Sequence, residues 1–296
     1  MRSLFVAFIL GFFMAMGGFV SVAFGQGGLA LGPAHTCVLA QGAVKCWGAN
    51  SSGQLGNGSA TPSNVPVAVK GLPGREIKAV AAGKAAVTCA LVSPAPEAGV
   101  IKHGHELWCV GNNNYGLARG NGTYNGMATS FVQVPLWEVA YQKDEKGKDV
   151  LVNGKKVKVE QWGVEEVAIG GSHLLARIGG HVYTWGEAWG SPSPAHGALG
   201  RPTKISKKDA FKPIRVTSWD GAVSIAAGEK FSCAVLNSGK VLCAGDNSYG
   251  GLGKGDRNKA TTPQEVKNIT RAVSVVAGGQ FACALLSDST VQCWGA

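Results

Sequence analysis

His35 to Gly48 reads HTCVLAQGAVKCWG. Apolar residues flank a central Gln41-Gly42 pair, the pattern of two antiparallel strands joined by a two-residue turn. The unit recurs at Val87 to Gly111, His173 to Gly186 (HLLARIGGHVYTWG), Phe231 to Gly245 (FSCAVLNSGKVLCAG) and Phe281 to Gly295 (FACALLSDSTVQCWG). Repeats set architecture ahead of any single residue. From Cys37 the anchor position returns at Cys89, Leu175, Cys233 and Cys283, in steps of 52, 86, 58 and 50. The basic period is therefore 50 to 52 residues, with insertions in the second and third repeats.

Each unit carries its own flanks. A short apolar run ending in Gly precedes it: Leu29 to Gly32, Ala79 to Gly83, Val167 to Gly171, Ser224 to Gly228 and Ser274 to Gly279. A Gly-x-Leu-Gly turn follows at Gly53 to Gly56, Gly197 to Gly200 and Gly250 to Gly253, with Tyr115 to Gly120 a degenerate copy. Forty-four glycines against 12 prolines, with 45% hydrophobic residues in a chain of 296, suit many short strands joined by tight turns around a substantial core.

The hairpins also pair the cysteines. Eight cysteines allow about 105 complete pairings, but counting outward from Gln41-Gly42 sets Cys37 opposite Cys46. Three-residue loops at Asn237 to Gly239 and Ser287 to Ser289 oppose Cys233 to Cys243 and Cys283 to Cys293. Directly opposed antiparallel residues lie within disulfide range. The third unit opposes Leu175 to Thr184, so both cysteines are missing together, as bonded partners require. Cys89 and Cys109 then pair across a longer loop containing Pro94 and Pro96. The rival reading is a metal site, but ligand pairs such as Cys-x-x-Cys are absent. Each short bridge is worth at most about 3 kcal/mol by chain entropy.

Alternation puts His35, Cys37, Leu39, Val44 and Cys46 on one face of the first hairpin and Val38, Ala40, Ala43 and Trp47 on the other. Both faces are largely apolar, so each small sheet must be sandwiched between neighbours, which a radial stack achieves. The expected fold is all-β: a β-propeller, or propeller arc, of about five four-stranded blade repeats with the last incomplete. An inner strand ending in Gly, the hairpin and an outer segment such as Val65 to Val69 make one blade.

The pattern His-x-Cys-x-Leu…Gly-x-Val-x-Cys-Trp-Gly-x-Asn-x-x-Gly-Gln-Leu-Gly, nearly whole from His35 to Gly56, resembles the regulator of chromosome condensation repeat family. The resemblance covers about 240 residues. It implies a β-propeller, typically of seven blades, and the family's secreted bacterial members often carry such paired cysteines. This chain departs from the pattern in having five hairpins, and it stops at Ala296 where a further turn and outer strand are expected. A truncated reading frame, an open arc completed by self-association with a second molecule, and a ring clasped by Leu29 to Gly32 remain open.

Residues 1–25 read as a secretory signal, with Arg2, an apolar core from Leu4 to Met16 and the small-x-small site Ala23-Phe24-Gly25. The alternative is an uncleaved membrane anchor, with Leu4 to Phe24 long enough to span. The propeller domain is expected over 26–296, with repeats at about 33–83, 84–171, 172–228, 229–279 and a partial 280–296. Net charge is +10, which points to polyanions. An exported chain meets no nucleic acid in the cell and has no integral membrane role once the signal is cleaved.

Residues shared among repeats are read as structural, so function is sought where the register breaks. The largest insertion, 135–163, contains a candidate hairpin from Val150 to Val159 on an Asn153-Gly154 turn. It carries Lys143, Lys146, Lys148, Lys155, Lys156 and Lys158 against Asp144, Glu145 and Asp149, with Trp137, Tyr141 and Trp162 at its base. The third repeat adds Glu187 to His196, with Trp189, and Lys204 to Arg215, with Lys207 and Lys208. Trp137, Tyr141, Lys155, Lys156, Lys158, Trp162, Trp189, Lys207 and Lys208 are the candidate binding residues. The plain alternative is a solvated edge hairpin whose lysines block aggregation.

Catalysis finds little support. No nucleophile elbow, phosphate loop or His-Glu-x-x-His helix is present. His35 and His173 share one repeat position, which packing explains. His103 and His105 lack a further ligand at suitable spacing, and Glu165 and Glu166 are expected to point to opposite faces of a strand. No catalytic residue, cofactor or metal is assigned. The expected function is a secreted or periplasmic, non-catalytic propeller binding an unidentified protein. Alternatives are a secreted inhibitor of an enzyme such as a β-lactamase, which the resemblance also implies, and binding of an anionic surface polymer. Guanine-nucleotide exchange on a nuclear GTPase, the activity of the family's founding branch, does not suit an exported chain. The sequons at Asn50, Asn57, Asn121 and Asn268 matter only in a eukaryotic secretory pathway.

Overall fold

A computed structural model describes residues 28–123, 126–141, 143, 148–152, 155–186, 197–201 and 207–296. The leader expected over 1–25 lies outside these residues. So do Asp144, Glu145, Lys146, the Asn153-Gly154 turn, Glu187 to His196 with Trp189, and Lys204 to Ser206.

The described residues are all-β in class, with five small antiparallel blade sheets in sequence order and two further small sheets in an insertion. The first blade holds β1 (Leu29–Leu31), β2 (His35–Ala40), β3 (Ala43–Gly48) and β4 (Ser63–Ala68). The second holds β5 (Ile77–Gly83), β6 (Val87–Val92), β8 (Glu106–Asn112) and β9 (Met127–Val134), with β7 (Ile101–His103) rising from the loop between β6 and β8. An insertion follows: β10 (Glu138–Tyr141), β11 (Leu151–Val152), β12 (Lys155–Lys156) and β13 (Lys158–Trp162). The third blade holds β14 (Glu166–Ile169), β15 (His173–Ile178), β16 (His181–Gly186) and β17 (Ile214–Arg215). The fourth holds β18 (Ala222–Ala227), β19 (Phe231–Leu236), β20 (Val241–Gly245) and β21 (Ala260–Glu265), and the fifth β22 (Ala272–Ala277), β23 (Phe281–Leu286) and β24 (Val291–Gly295).

Register follows the turn count. Cys37 opposes Cys46, Cys89 opposes Cys109, Leu175 opposes Thr184, Cys233 opposes Cys243 and Cys283 opposes Cys293. All four cysteine pairs are disulfides, with Cα atoms 4.0 to 4.1 Å apart. Gln41 and Gly42 take φ of 51° and 75°, the left-handed pair that a tight hairpin turn needs. The strand β1 pairs with β2 as the inner strand of its own blade. The last sheet consists of β22, β23 and β24, so Leu29 to Gly32 does not clasp the last blade and serves its own instead.

The cysteine face of each blade packs on the blade that follows. Cys37 and Cys46 lie among Val80, Ala82 and Ala90 of the second blade. Cys89 and Cys109 meet Val167, Ile169 and Leu174 of the third. Leu175 of the third meets Ile225 and Ala234 of the fourth, around Trp219. Cys233 and Cys243 meet Val275, Ala277 and Ala282 of the fifth. The inner strands converge on one axis, where Leu31, Gly83, Ile169, Gly228 and Gly278 line a single narrow cavity. In the fifth blade Val291 and Cys293 are exposed, whereas their counterparts Val241 and Cys243 are buried.

The recurring Gly before each hairpin has a steric cause. A Cβ on Gly32, Gly170, Gly228 or Gly278 would sit 2.1 to 2.3 Å from the ring of His35, His173, Phe231 or Phe281, three residues on. The ring of each unit folds back over its own inner strand, and only glycine leaves room.

Candidate functional site

The register-breaking residues gather beside the second and third blades. In the insertion, β13 pairs antiparallel with β10 and parallel with β7, giving the order β10-β13-β7. The expected hairpin exists as the short pair β11 and β12, while the longer stretch after Val157 is drawn into the three-stranded sheet. The insertion is thus a sheet seated on the propeller rather than a free arm. What the sequence concealed is that the loop carrying Pro94 and Pro96 supplies its third strand; the apolar pair Val100 and Ile101 is what hinted at it.

Polar contacts fasten this sheet to the third blade. The Tyr183 hydroxyl donates to Glu138 Oε1 at 2.5 Å, and burial together with Glu138 drives the Tyr183 pKa upward. His181 lies 3.0 Å from Asp220 and 3.9 Å from Glu138, and Arg215 grips Asp220 through two bonds of 3.0 and 2.8 Å. Glu165 and Glu166 do not diverge as expected: both close on Arg177, Glu166 at 3.0 Å from Nε. Arg177 comes from the paired strand β15 and draws the two carboxylates to one cation. Glu166 also accepts from the Ile225 N–H at 3.2 Å, and burial raises its pKa. This is an inter-blade clamp rather than an acid–base pair.

Four of the basic residues share two carboxylates of the module. Asp149 takes both Lys143 and Lys156, the latter at 2.6 Å. Glu97 takes Lys158 at 3.0 Å and Lys102 at 3.1 Å. These two carboxylates are held below their ordinary range by the lysines that donate to them. Lys156 also stands 5.3 Å over the Tyr141 ring. Large apolar groups also stand outward: Ile101 is 60% exposed, Leu151 58%, Trp137 41% and Tyr141 38%. Trp162 is half-buried and stacked at 5.5 Å on His103. Lys155 is exposed at the tip. Lys207 and Lys208 open a one-turn helix, Lys207–Ala210, and are not part of this sheet.

The candidate histidine ligands are otherwise employed. His103 stacks on Trp162, and the His105 ring lies 3.2 Å from the Val164 carbonyl. His35 and His173 are buried at blade seams. Thr88 donates its hydroxyl to the Gln54 carbonyl at 2.8 Å, so His35 Nε2 must donate to Thr88 Oγ1 at 2.9 Å. Ser232 likewise donates to Ala198 O, and His173 Nε2 donates to Ser232 Oγ. Desolvation lowers both histidine pKa values to about 4, leaving neutral rings. Asn50 is fully buried. It accepts from the Leu55 N–H and donates to the Ser59 and Thr61 carbonyls, so its amide staples the Gly-x-Leu-Gly turn. Asn247 does the same with Leu252, Asp256 and Asn258. Their shared repeat phase was the available signal for this role.

Comparison with known proteins places these features in a family. The model of the regulator of chromosome condensation (RCC1) repeat matches residues 41–90, 179–235 and 238–285, and a second model of the same repeat matches 222–250. The chain is 27% identical over 243 residues to the ultraviolet-B receptor UVR8 of Arabidopsis thaliana, covering 80% of this chain and 45% of that protein. It is 26% identical over 242 residues to the human E3 ubiquitin-protein ligase HERC2, covering 80% of this chain and 4% of that one. The crystal structure of Prp20p from Saccharomyces cerevisiae, a protein described by its binding to Gsp1p and histones, superposes with a TM-score of 0.65 at 21% identity. That match covers 90% of this chain and 56% of Prp20p. The chain therefore spans less than half the length of these curated relatives.

Proposed function

Because the chain belongs to the regulator of chromosome condensation repeat family, we propose that it is a non-catalytic propeller module that binds a protein partner through the sheet β10-β13-β7. The observation carrying this reading is the set of large apolar side chains that the module turns outward. Lys143 and Lys156 share Asp149 and Lys158 and Lys102 share Glu97, while Ile101, Trp137, Tyr141 and Leu151 stand outward beside them. Exposed aromatic and aliphatic side chains on a rigid base suit a protein contact. A polyanion binder would present its lysines unpaired. The yeast relative's binding to Gsp1p and histones supports a protein as the class of partner.

Four disulfides belong to an oxidising compartment, and among the described residues no helix is long and apolar enough to cross a membrane. We place the protein in the secreted or periplasmic space, with the segment 1–25 as its export signal. The test is affinity capture from envelope and medium with the disulfide-intact chain from Gln26, beside an Ile101→Ser/Trp137→Ser double variant. The expected result is one protein retained at high salt by the parent chain and lost by the variant. Retention unaffected by the variant, or capture only of polyanionic material released at modest salt, overturns the reading.

A further inference from the structure

The insertion sheet meets the third blade at a polar cluster that holds one histidine between two carboxylates. His181 opens β16, and its Nδ1 lies 3.0 Å from Asp220 Oδ1, on the segment that leads into β18. Its Nε2 lies 3.9 Å from Glu138 Oε2, on β10 of the insertion. The other charged and titratable groups of the cluster are Arg215 on β17 and Tyr183 on β16. Arg215 donates to both oxygens of Asp220, at 3.0 and 2.8 Å, and the Tyr183 hydroxyl donates to Glu138 Oε1 at 2.5 Å.

Asp220 and Tyr183 keep their protonation states near neutral pH. Hydrogen bonding to Arg215 holds the Asp220 carboxyl below its ordinary range, and burial, with Glu138 beside it, pushes the Tyr183 hydroxyl above its own. Histidine is the side chain whose charge changes in that range. A neutral imidazole carries one N–H, so it can donate to Asp220 or to Glu138 and turns a ring lone pair toward the other carboxylate. An imidazolium donates on both sides. Two carboxylates against Arg215 leave one negative charge in excess, which the protonated ring cancels.

We propose that His181 is a pH-dependent latch: protonated, it ties the insertion sheet to the third blade through Glu138 and Asp220, and neutral, it holds only one of the two. Docking of the sheet is therefore tighter while the ring is charged and loosens as pH rises and the proton leaves. The effect reaches the face turned outward, because β10 carries Glu138 and Tyr141 and follows directly on Trp137, and both aromatic residues are exposed. As a control on partner binding the latch rests on the protein-binding reading above; as a property of the fold it does not.

Hydrogen exchange of the disulfide-intact full chain reads the latch without any partner, at about pH 5.5 and about pH 8, on either side of the histidine transition, with each rate corrected for intrinsic exchange. Relative to β23, the amides of β10 should be about threefold to fivefold better protected at the lower pH, the weight of a charged contact between side chains 27% and 26% exposed. His181→Gln, which keeps a neutral donor, should abolish that ratio, and so should Glu138→Gln, which keeps an acceptor for Tyr183. Tyr183→Phe should lower the protection of β10 at both pH values and leave the ratio in place, which separates the latch from ordinary packing. Equal protection at the two pH values, better protection at the higher one, or a ratio that survives His181→Gln overturns the proposal. No partner enters the measurement, so its failure leaves the capture result standing, and an empty capture column leaves the latch standing.

Discussion

At the scale of single residues, His35 and His173 join blades by a hydrogen bond donated from Nε2, and burial of the rings disfavours their charged form. Their folded pKa values of about 4 lie below the ordinary value near 6.5, so the unfolded chain takes up protons first as pH falls. Stability is complete above pH ~6.5 and is lost between ~6.5 and ~4, by about 3 kcal/mol per histidine at pH 4. Urea midpoints at pH 7 and pH 4.5 check this. His173→Phe, the residue the fourth and fifth units use at that position, should remove about half of the pH dependence. The Gly-x-x-His/Phe spacing was visible in four of five repeats, but its reason, a ring lying over the glycine, needed coordinates.

At the scale of elements, each hairpin carries a disulfide or its joint replacement by Leu175 and Thr184, and the bridges differ in shelter. Cys37, Cys46, Cys89, Cys109, Cys233 and Cys243 are fully buried, whereas Cys293 is exposed. Thiol exchange requires access to sulfur, so mild reductant acting on the native protein should open Cys283–Cys293 first. Alkylation and mass mapping before global unfolding would find modified Cys283 and Cys293 and the other six intact. In the insertion, Asp149 is shared by two lysines of neighbouring segments. Asp149→Asn should release Lys143 and Lys156 and raise the salt concentration needed to elute the protein from heparin, while leaving the blades' thermal transition unchanged.

At the scale of the whole molecule, the chain is a stack in which each blade touches its neighbours. Trp219 lies fully buried in the cluster shared by the third and fourth blades, its indole N–H donating to Leu242 O at 3.2 Å. Trp219→Ala should cost about 3–5 kcal/mol. In native-state hydrogen exchange the loss of protection should fall on β15, β16, β19 and β20 and spare β2 and β3. Uniform loss across all blades would show instead that the stack behaves as one cooperative unit.

The repeats, the hairpin register, the four disulfides and the propeller class were legible in the sequence alone, because each depends on residues a few positions apart and on the two-residue period of a strand. The insertion's position was legible for the same reason, as a break in that period. Its character was not. Lys158 meets Glu97 from 61 residues away, Tyr183 meets Glu138 from 45, and β7 arrives from a loop of another hairpin. Only the tertiary structure brought those partners together. It turned an apparent basic arm into a sheet seated on the propeller, with its lysines bonded to Asp149 and Glu97, because electrostatic pairing is governed by distance in space and not by distance along the chain.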